Sequence, residues 1–305
     1  MKTDLSHLPA AKQRELARVV ELLFEEFGDI IVHAEGKRKA GRILKIILFG
    51  SHARGDWVDE PHTSKGYISD YDLLVIVNQK DLADLDLWHN AEERIIRETQ
   101  VTKTLRTPVN FIVHTLSEVN NALAKGRFFF MDIARDGIAL YQASETELHR
   151  PMPKKPADAL DMAREYFSEW YPSAADFAES ASDAAARGKN KLAAFLYHQA
   201  TERLYHCLLL VVTSYTPHRH NIAFLRSLAD KLDPRLVDVW PRDDRRDRAL
   251  FTKLRDAYVK ARYSKHYSID TDELAWLAER IEALGQVVHI VATERIESLR
   301  AAAGA

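Results

Sequence analysis

Hydrophobic positions follow two regimes along this chain, and the change falls near residue 150. In the first regime short apolar runs alternate with helical spacing. Ile43-Leu44-Lys45-Ile46-Ile47-Leu48-Phe49 and Leu73-Leu74-Val75-Ile76-Val77 are continuous enough to predict buried strands over about 43–49 and 71–77. Pro108 introduces a third, Val109-Asn110-Phe111-Ile112-Val113-His114, and Gly137-Ile138-Ala139-Leu140-Tyr141 predicts a last edge strand. From Leu8 to Phe27 the apolar residues Leu16, Val19, Val20, Leu23, Phe24 and Phe27 share one helical side, with Gly28 as the stop. A second helix is predicted from roughly Asp84 to Thr104, and a short one starting at Ser117 with Asn120-Asn121. Strands interleaved with helices predict a small sheet covered by helices.

After residue 150 almost every segment has helical periodicity. Helices are predicted over about 157–188, with a bend near Pro172, and over 191–215, 222–232, 246–261 and 271–299, the last capped by Asp270 or Thr271. Pro151, Pro153 and Pro156 fall within six residues, which removes amide donors and breaks both helix and strand. The boundary is therefore set there, giving domains 1–150 and 151–305. The run Arg242-Asp243-Asp244-Arg245-Arg246-Asp247-Arg248 mixes both signs and reads as a solvated helix start.

Composition narrows the class. A chain of 305 residues, 46% hydrophobic and 29% charged, suits a globular protein of two ordinary domains. A net charge of −2 gives no bulk drive toward nucleic acid. The single cysteine, Cys207, excludes an intrachain disulfide and reads as a buried, inert thiol in an apolar helix. No apolar leader opens the chain and no uncharged apolar run is long enough to span a bilayer, so the expectation is a cytoplasmic protein with no membrane partner.

The most informative chemistry sits where the first two strands meet. Gly50-Ser51 ends one apolar run and Asp70-Tyr71-Asp72 opens the next. Glycine lets the backbone approach a ligand, the Ser51 hydroxyl can donate to a phosphate oxygen, and Arg54 can pair with phosphate. Asp70 and Asp72 are two apart, so a strand puts both carboxylates on one face. Two such charges 4 Å apart repel by about 4 kcal/mol at an effective dielectric near 20, a penalty that a divalent cation removes. Oxygen ligands suit magnesium.

Leu48-Phe49-Gly50-Ser51-His52-Ala53-Arg54-Gly55-Asp56 with Ser69-Asp70-Tyr71-Asp72-Leu73-Leu74-Val75 resembles the two signature segments of the DNA polymerase β-type nucleotidyltransferases, especially the minimal bacterial members. The resemblance implies that Asp70 and Asp72 are catalytic and bind Mg2+, and that Gly50 and Ser51 hold the phosphates of a nucleoside triphosphate such as ATP. The implied reaction moves a nucleoside monophosphate to an acceptor hydroxyl on a small molecule, an RNA end or a protein tyrosine. Two departures stand out. Eighteen residues separate Ser51 from Asp70, more than is usual, so a surface loop around Trp57 to Ile68 is expected to shape acceptor choice. The position where the family often has a third carboxylate is Asn110, which adds no negative charge and is no base. Glu118 and Asp132 are candidates to replace it.

In the second half, His198, Glu202 and His206 recur every four residues and form a polar ladder on an apolar helix. Such a ladder can be internal hydrogen bonding within a bundle or a ligand-facing site; a third zinc ligand is not evident. Ala194-Phe195-Leu196-Tyr197-His198-Gln199-Ala200-Thr201-Glu202-Arg203, Tyr215-Thr216-Pro217 and Ala261-Arg262-Tyr263 make this half look like a HEPN domain over roughly 156–300. That resemblance implies a four- or five-helix bundle, often a homodimer. Some members are metal-independent ribonucleases with an arginine, four to six intervening residues and then a histidine, a spacing that this chain falls short of. Here Arg262 and His266 have three residues between them, on one face if a helix carries both.

The expected fold is thus α+β: a polymerase β-like nucleotidyltransferase domain with a small mixed sheet, then an all-α HEPN bundle that recognises the acceptor or dimerises. Related separate-chain pairs act as toxin and antitoxin, the transferase modifying a tyrosine of its partner, which makes Tyr263 and Tyr267 candidate acceptors in cis. The alternatives are a catalytically weak nucleotide-binding module, favoured by Asn110, and a ribonuclease centred on Arg262 and His266.

Overall fold

The computed structural model describes residues 1–59, 69–143, 147–217 and 220–304. The loop expected over Trp57 to Ile68 lies largely outside them. Contacts divide the chain after Pro153 into two compact units.

The first unit is mixed α+β. Its four strands, β1 (Ile43–Phe49), β2 (Tyr71–Val77), β3 (Val109–Thr115) and β4 (Ile138–Gln142), lie in the order β3-β2-β1-β4. β1 runs antiparallel to both β2 and β4, whereas β2 and β3 are parallel. Every residue of β1 and β2 is buried, which explains why both read as unbroken apolar runs rather than alternating ones. One face packs on α1 (Ala10–Val32) and α3 (His89–Gln100), through Leu16, Leu23, Tyr71, Leu73, Val75 and Ile95 among others.

Local signals explain most departures from the expected elements. Gly28 does not stop α1, because Ile30 and Ile31 continue its core stripe and a one-turn extension keeps them packed. α3 begins later than expected, after a 3-10 turn over Leu85–Trp88 in which the Asp84 side chain accepts from the Asp86 amide. Thr115, not Ser117, caps α4 (Leu116–Ala124). Its hydroxyl accepts from the Glu118 amide while the Glu118 carboxylate accepts from the Thr115 amide. A further helix, α5 (Phe128–Asp136), was not expected at all. It seats Phe129 against Phe49 and Phe130 against His114, covering the other face of the sheet.

The second unit is helical: α6 (Pro156–Ala186), α7 (Asn190–Thr213), α8 (Ile222–Ala229), α9 (Arg245–Tyr263) and α10 (Thr271–Ala303). α6 runs through Pro172 as one helix. α7 is the central element, packed by α6, α8, α9 and α10, and it buries Cys207 completely. Desolvation pushes that thiol up to about 12, so it stays protonated. Asp270 caps α10 in a capping box with Glu273. The mixed-charge run before α9 is not simply a solvated face. Arg242 is half-buried and pairs with the buried Asp230, which Arg226 approaches at 3.6 Å. Among the described residues no helix is long and apolar enough to cross a membrane.

Candidate functional site

The polar corner of the first unit is built where β1 ends and β2 and β3 begin. Pairing sets Phe49 opposite Asp72, and Asp72 opposite Asn110, so the Gly50 turn, both aspartates and the third-strand asparagine converge. Tyr71 points the other way, into the core, as strand alternation requires. Its hydroxyl donates to Glu15 Oε2 at 3.0 Å, and Glu15 also accepts from Thr107 Oγ1 and the Arg106 amide, both at 2.8 Å. Burial raises the Tyr71 phenol, which keeps this anchor protonated. The strand carrying the two aspartates is thus clamped to α1 from behind.

Gly50 is required here twice over. Its φ of +75° belongs to the region that side chains avoid, and a Cβ would stand 2.4 Å from Asp72 Oδ2. The carboxylate of Asp72, 1% exposed, therefore rests on the glycine backbone. Ser51 opens the single-turn helix α2 (Ser51–Arg54), and its buried Oγ has no hydrogen-bond partner among the described residues. His52 is fully buried, stacks on Trp57 and pairs through Nδ1 with the Asp70 carbonyl at 3.0 Å, which ties α2 to the start of β2. Asn110 Nδ2 donates to Asp70 Oδ2 at 2.8 Å. An amide donor stands where a third carboxylate would add to the repulsion.

The remaining first-unit candidates separate. Arg54 is exposed and bonds Asp56 Oδ2 at 3.1 Å, a pair weak enough to exchange for a ligand. Glu118 is no stand-in for the missing carboxylate. It caps α4 at the far end of β3 and contacts His114 at 3.5 Å, contacts that hold it down at about 2. Asp132 on α5 pairs with Arg135 at 2.9 Å; burial raises it, while Arg135 and Arg54 pull the other way. The charge of Arg54 thus reaches Asp132, and of the two replacements only Asp132 neighbours the corner.

In the second unit the ladder gains members that spacing does not show. Glu202 is buried with its Oε1 at 2.9 Å from His220 Nδ1 and 3.5 Å from His206 Nε2, and its Oε2 at 3.7 Å from His198 Nδ1. His206 pairs through Nδ1 with Thr216 Oγ1 at 2.5 Å. Burial pushes Glu202 up, but the histidine contacts more than offset it and leave the carboxylate low. His198 is fully buried, and desolvation drives it down to about 4 despite Glu202. Tyr258 of α9 closes the cluster, stacked on His220 at 4.6 Å. The Arg262 guanidinium lies over the same ring at 4.6 Å and donates from Nε to the Tyr258 carbonyl.

His220 and Tyr258 were missed because no fixed spacing links them to α7; only the folded bundle does. Arg262 and His266 do not share a helical face, since α9 ends at Tyr263 and His266 sits in the exposed turn beyond. Tyr263 is 76% exposed, whereas Tyr267 is buried with its hydroxyl donated to the Lys253 carbonyl. Among the described residues no group of three or more His, Cys, Asp or Glu is arranged to hold a metal ion, so neither corner is a closed protein-only metal cage.

No curated protein matches the chain. The family model of the HEPN domain matches residues 167–291, which covers the Glu202 cluster and the core of the bundle: the helical unit carries a HEPN domain.

Proposed function

We propose that the first unit is a magnesium-dependent nucleotidyltransferase site of the polymerase β type. The observation that carries this reading is the carboxylate of Asp72 seated on the side-chain-free Gly50, next to a buried Ser51 hydroxyl with its proton unspent. That combination suits a triphosphate lying along the turn and oxygen ligands facing it. Asp70 and Asp72 would hold Mg2+, which supplies charge neutralisation at the triphosphate and polarises the phosphorus under attack. Ser51 Oγ donates to a phosphate oxygen, and Arg54 leaves its exposed pair with Asp56 to add positive charge. The acceptor hydroxyl gives its proton to water, its oxygen forms a bond to the α-phosphorus, the bond from that phosphorus to the bridging oxygen breaks, and pyrophosphate departs.

Asn110 bears on the acceptor. It cannot take the acceptor's proton, so a hydroxyl that loses its proton readily is served better than an alkyl alcohol. A phenol, with a pKa of about 10, fits that requirement. Tyr263 presents such a hydroxyl to solvent and Tyr267 does not. Incubation of the chain with ATP and Mg2+, followed by peptide mass analysis, is expected to find adenylyl on Tyr263 and none on Tyr267. Loss of the product in Asp72→Asn and in Tyr263→Phe supports the assignment; an unmodified wild-type chain removes tyrosine as acceptor.

Asn110 equally favours a second reading, a nucleotide-binding module with weak turnover. Calorimetric binding of all four triphosphates without pyrophosphate release over a broad acceptor panel would favour it. A ribonuclease built on the helical unit is the third reading. It predicts RNA cleavage that survives chelation and is lost in His266→Ala.

A further inference from the structure

A cavity of about 390 Å³ opens between α6, α7 and α10 of the helical unit, away from the Glu202 cluster. That volume is in the range of small-molecule sites. Ala174, Ala178, Leu204 and Ile281 form an apolar floor. The polar lining is unusual in what it offers. Tyr171 donates its hydroxyl proton to the Gly285 carbonyl at 3.3 Å. Ser182 Oγ donates to the Ala178 carbonyl at 3.1 Å, so the Tyr197 hydroxyl, 3.1 Å away, donates to Ser182. All three hydroxyls have spent their protons inside the protein and turn only lone pairs to a ligand. Burial also raises the Tyr171 phenol, keeping it protonated.

Charge points the same way. Glu179 and Glu282 line the cavity, no cationic side chain does, and neither carboxylate has an ion pair among the described residues. Only Gln286 adds amide donors. Tyr171 meets Gly285 and Phe167 packs edge-on to His289, so α6 and α10 run antiparallel in that register. Glu282 then stands level with residue 174, five residues or about 7.5 Å along the axis from Glu179. A doubly acidic groove with an apolar floor, whose hydroxyls offer only lone pairs and whose donors are confined to Gln286, matches a ligand with an ammonium at each end and methylenes between them.

We propose that this cavity binds a short aliphatic diamine in its diammonium form, one ammonium on Glu179 and the other on Glu282. The site is independent of the nucleotidyltransferase reading. Calorimetric titration of the full chain with putrescine and with cadaverine is expected to give one site per chain. Glu179→Gln and Glu282→Gln should each weaken it by about tenfold, as expected for losing a hydrogen-bonded charge pair. Both carboxylates are exposed, so these variants keep the fold. n-Butylamine, with one ammonium, should bind weakly and respond to only one of the two substitutions, and the uncharged diol of the same length should not bind. Binding of either diamine that is unchanged in the double Gln variant overturns the proposal, as does absence of binding by both. Sedimentation showing the groove covered by a second copy, with self-association lost in Ala178→Trp and no diamine effect, also overturns it.

Discussion

The corner at Gly50 and the cluster at Glu202 are both buried and polar, yet they are assembled in opposite ways. The first comes from two short segments at adjacent strand ends, and pairing of β1 with β2 brings them together residue by residue. The second comes from one face of α7, a turn beyond it and the side of α9. In the first, the glycine and serine leave room and an unspent hydroxyl. In the second, Glu202 is already surrounded by three imidazoles, so its charge is satisfied by the protein itself. The Gly50 corner leaves Ser51 Oγ without a partner, whereas around Glu202 the carboxylate is taken up by the protein and, among the described residues, His198 Nε2 is the buried atom left over.

Substitution tests that contrast most directly. On the proposed transferase reading, Asp70→Asn is expected to lower nucleotidyl transfer by about three orders of magnitude, because it would remove a metal-binding charge in the transition state. Stability should hardly move, since Asp70 is at the mouth of the sheet and Asn110 can still bond an amide oxygen there. Pyrophosphate release and a thermal melt measure the two quantities on one preparation. A large loss of stability with retained turnover would reverse the contrast.

Glu202→Ala should do the opposite. It strips the common partner from His198, His206 and His220, and breaking such a buried network costs about 3 to 5 kcal/mol. Denaturant unfolding of the full chain should show this as a lowered midpoint for the helical unit, with the midpoint of the other unit retained. A midpoint within about 1 kcal/mol of wild type would mean that water replaces Glu202 and that the cluster is open enough to take a ligand.

The same cluster sets the acid limit of the helical unit. His198 titrates near 6.5 when unfolded and is held down to about 4 when folded. Between those values the unfolded chain binds a proton that the native one refuses, so stability is complete above pH 6.5 and declines as pH falls toward 4. The full loss is about 3 kcal/mol. Glu202 is shifted down as well, so its own contribution is present above the ordinary glutamate range and disappears only as pH falls through the lowered folded value. The two effects therefore occur in sequence, histidine first. In His198→Gln the decline between pH 6.5 and 4 should flatten, measured as denaturant midpoints across that window.

How much of each region could be read from sequence follows from how each is made. β1 and β2 were legible to the residue because strands buried on both faces cannot alternate, and the turn between Phe49 and Ser51 needs glycine. The corner was legible for the same reason, since its parts flank those strands. α5 was not, because Phe128-Phe129-Phe130-Met131 has no polar interruption to mark a helical period. Gly28 looked like a stop because composition at one position does not register that Ile30 and Ile31 still have a core to reach. Arg242 looked solvated among its charged neighbours, although the acid it neutralises, Asp230, is twelve residues back and buried. Partners that meet only through helix packing leave no spacing to count.

The smallest expected effect concerns the helix starts of the two units, where the same device serves different ends. Thr115 caps α4 and Asp270 caps α10, each with a glutamate three residues on. Either substitution to Ala should cost about 1 kcal/mol. The consequences should differ, because α10 is the longest helix of its bundle and loses only one fraying turn. α4 instead follows β3 directly, and Thr115 is the last residue of the strand that carries Asn110. The Glu118 carboxylate keeps the backbone amide of residue 115 and His114 as partners, so the loss is confined to the Thr115 hydroxyl. Thr115→Ala is therefore expected to shift the melting temperature and, on the proposed transferase reading, the affinity for a triphosphate by less than threefold, whereas Asp270→Ala should shift the melt alone. Equal and purely thermal effects would mean that the far end of β3 is mechanically silent at the Gly50 corner.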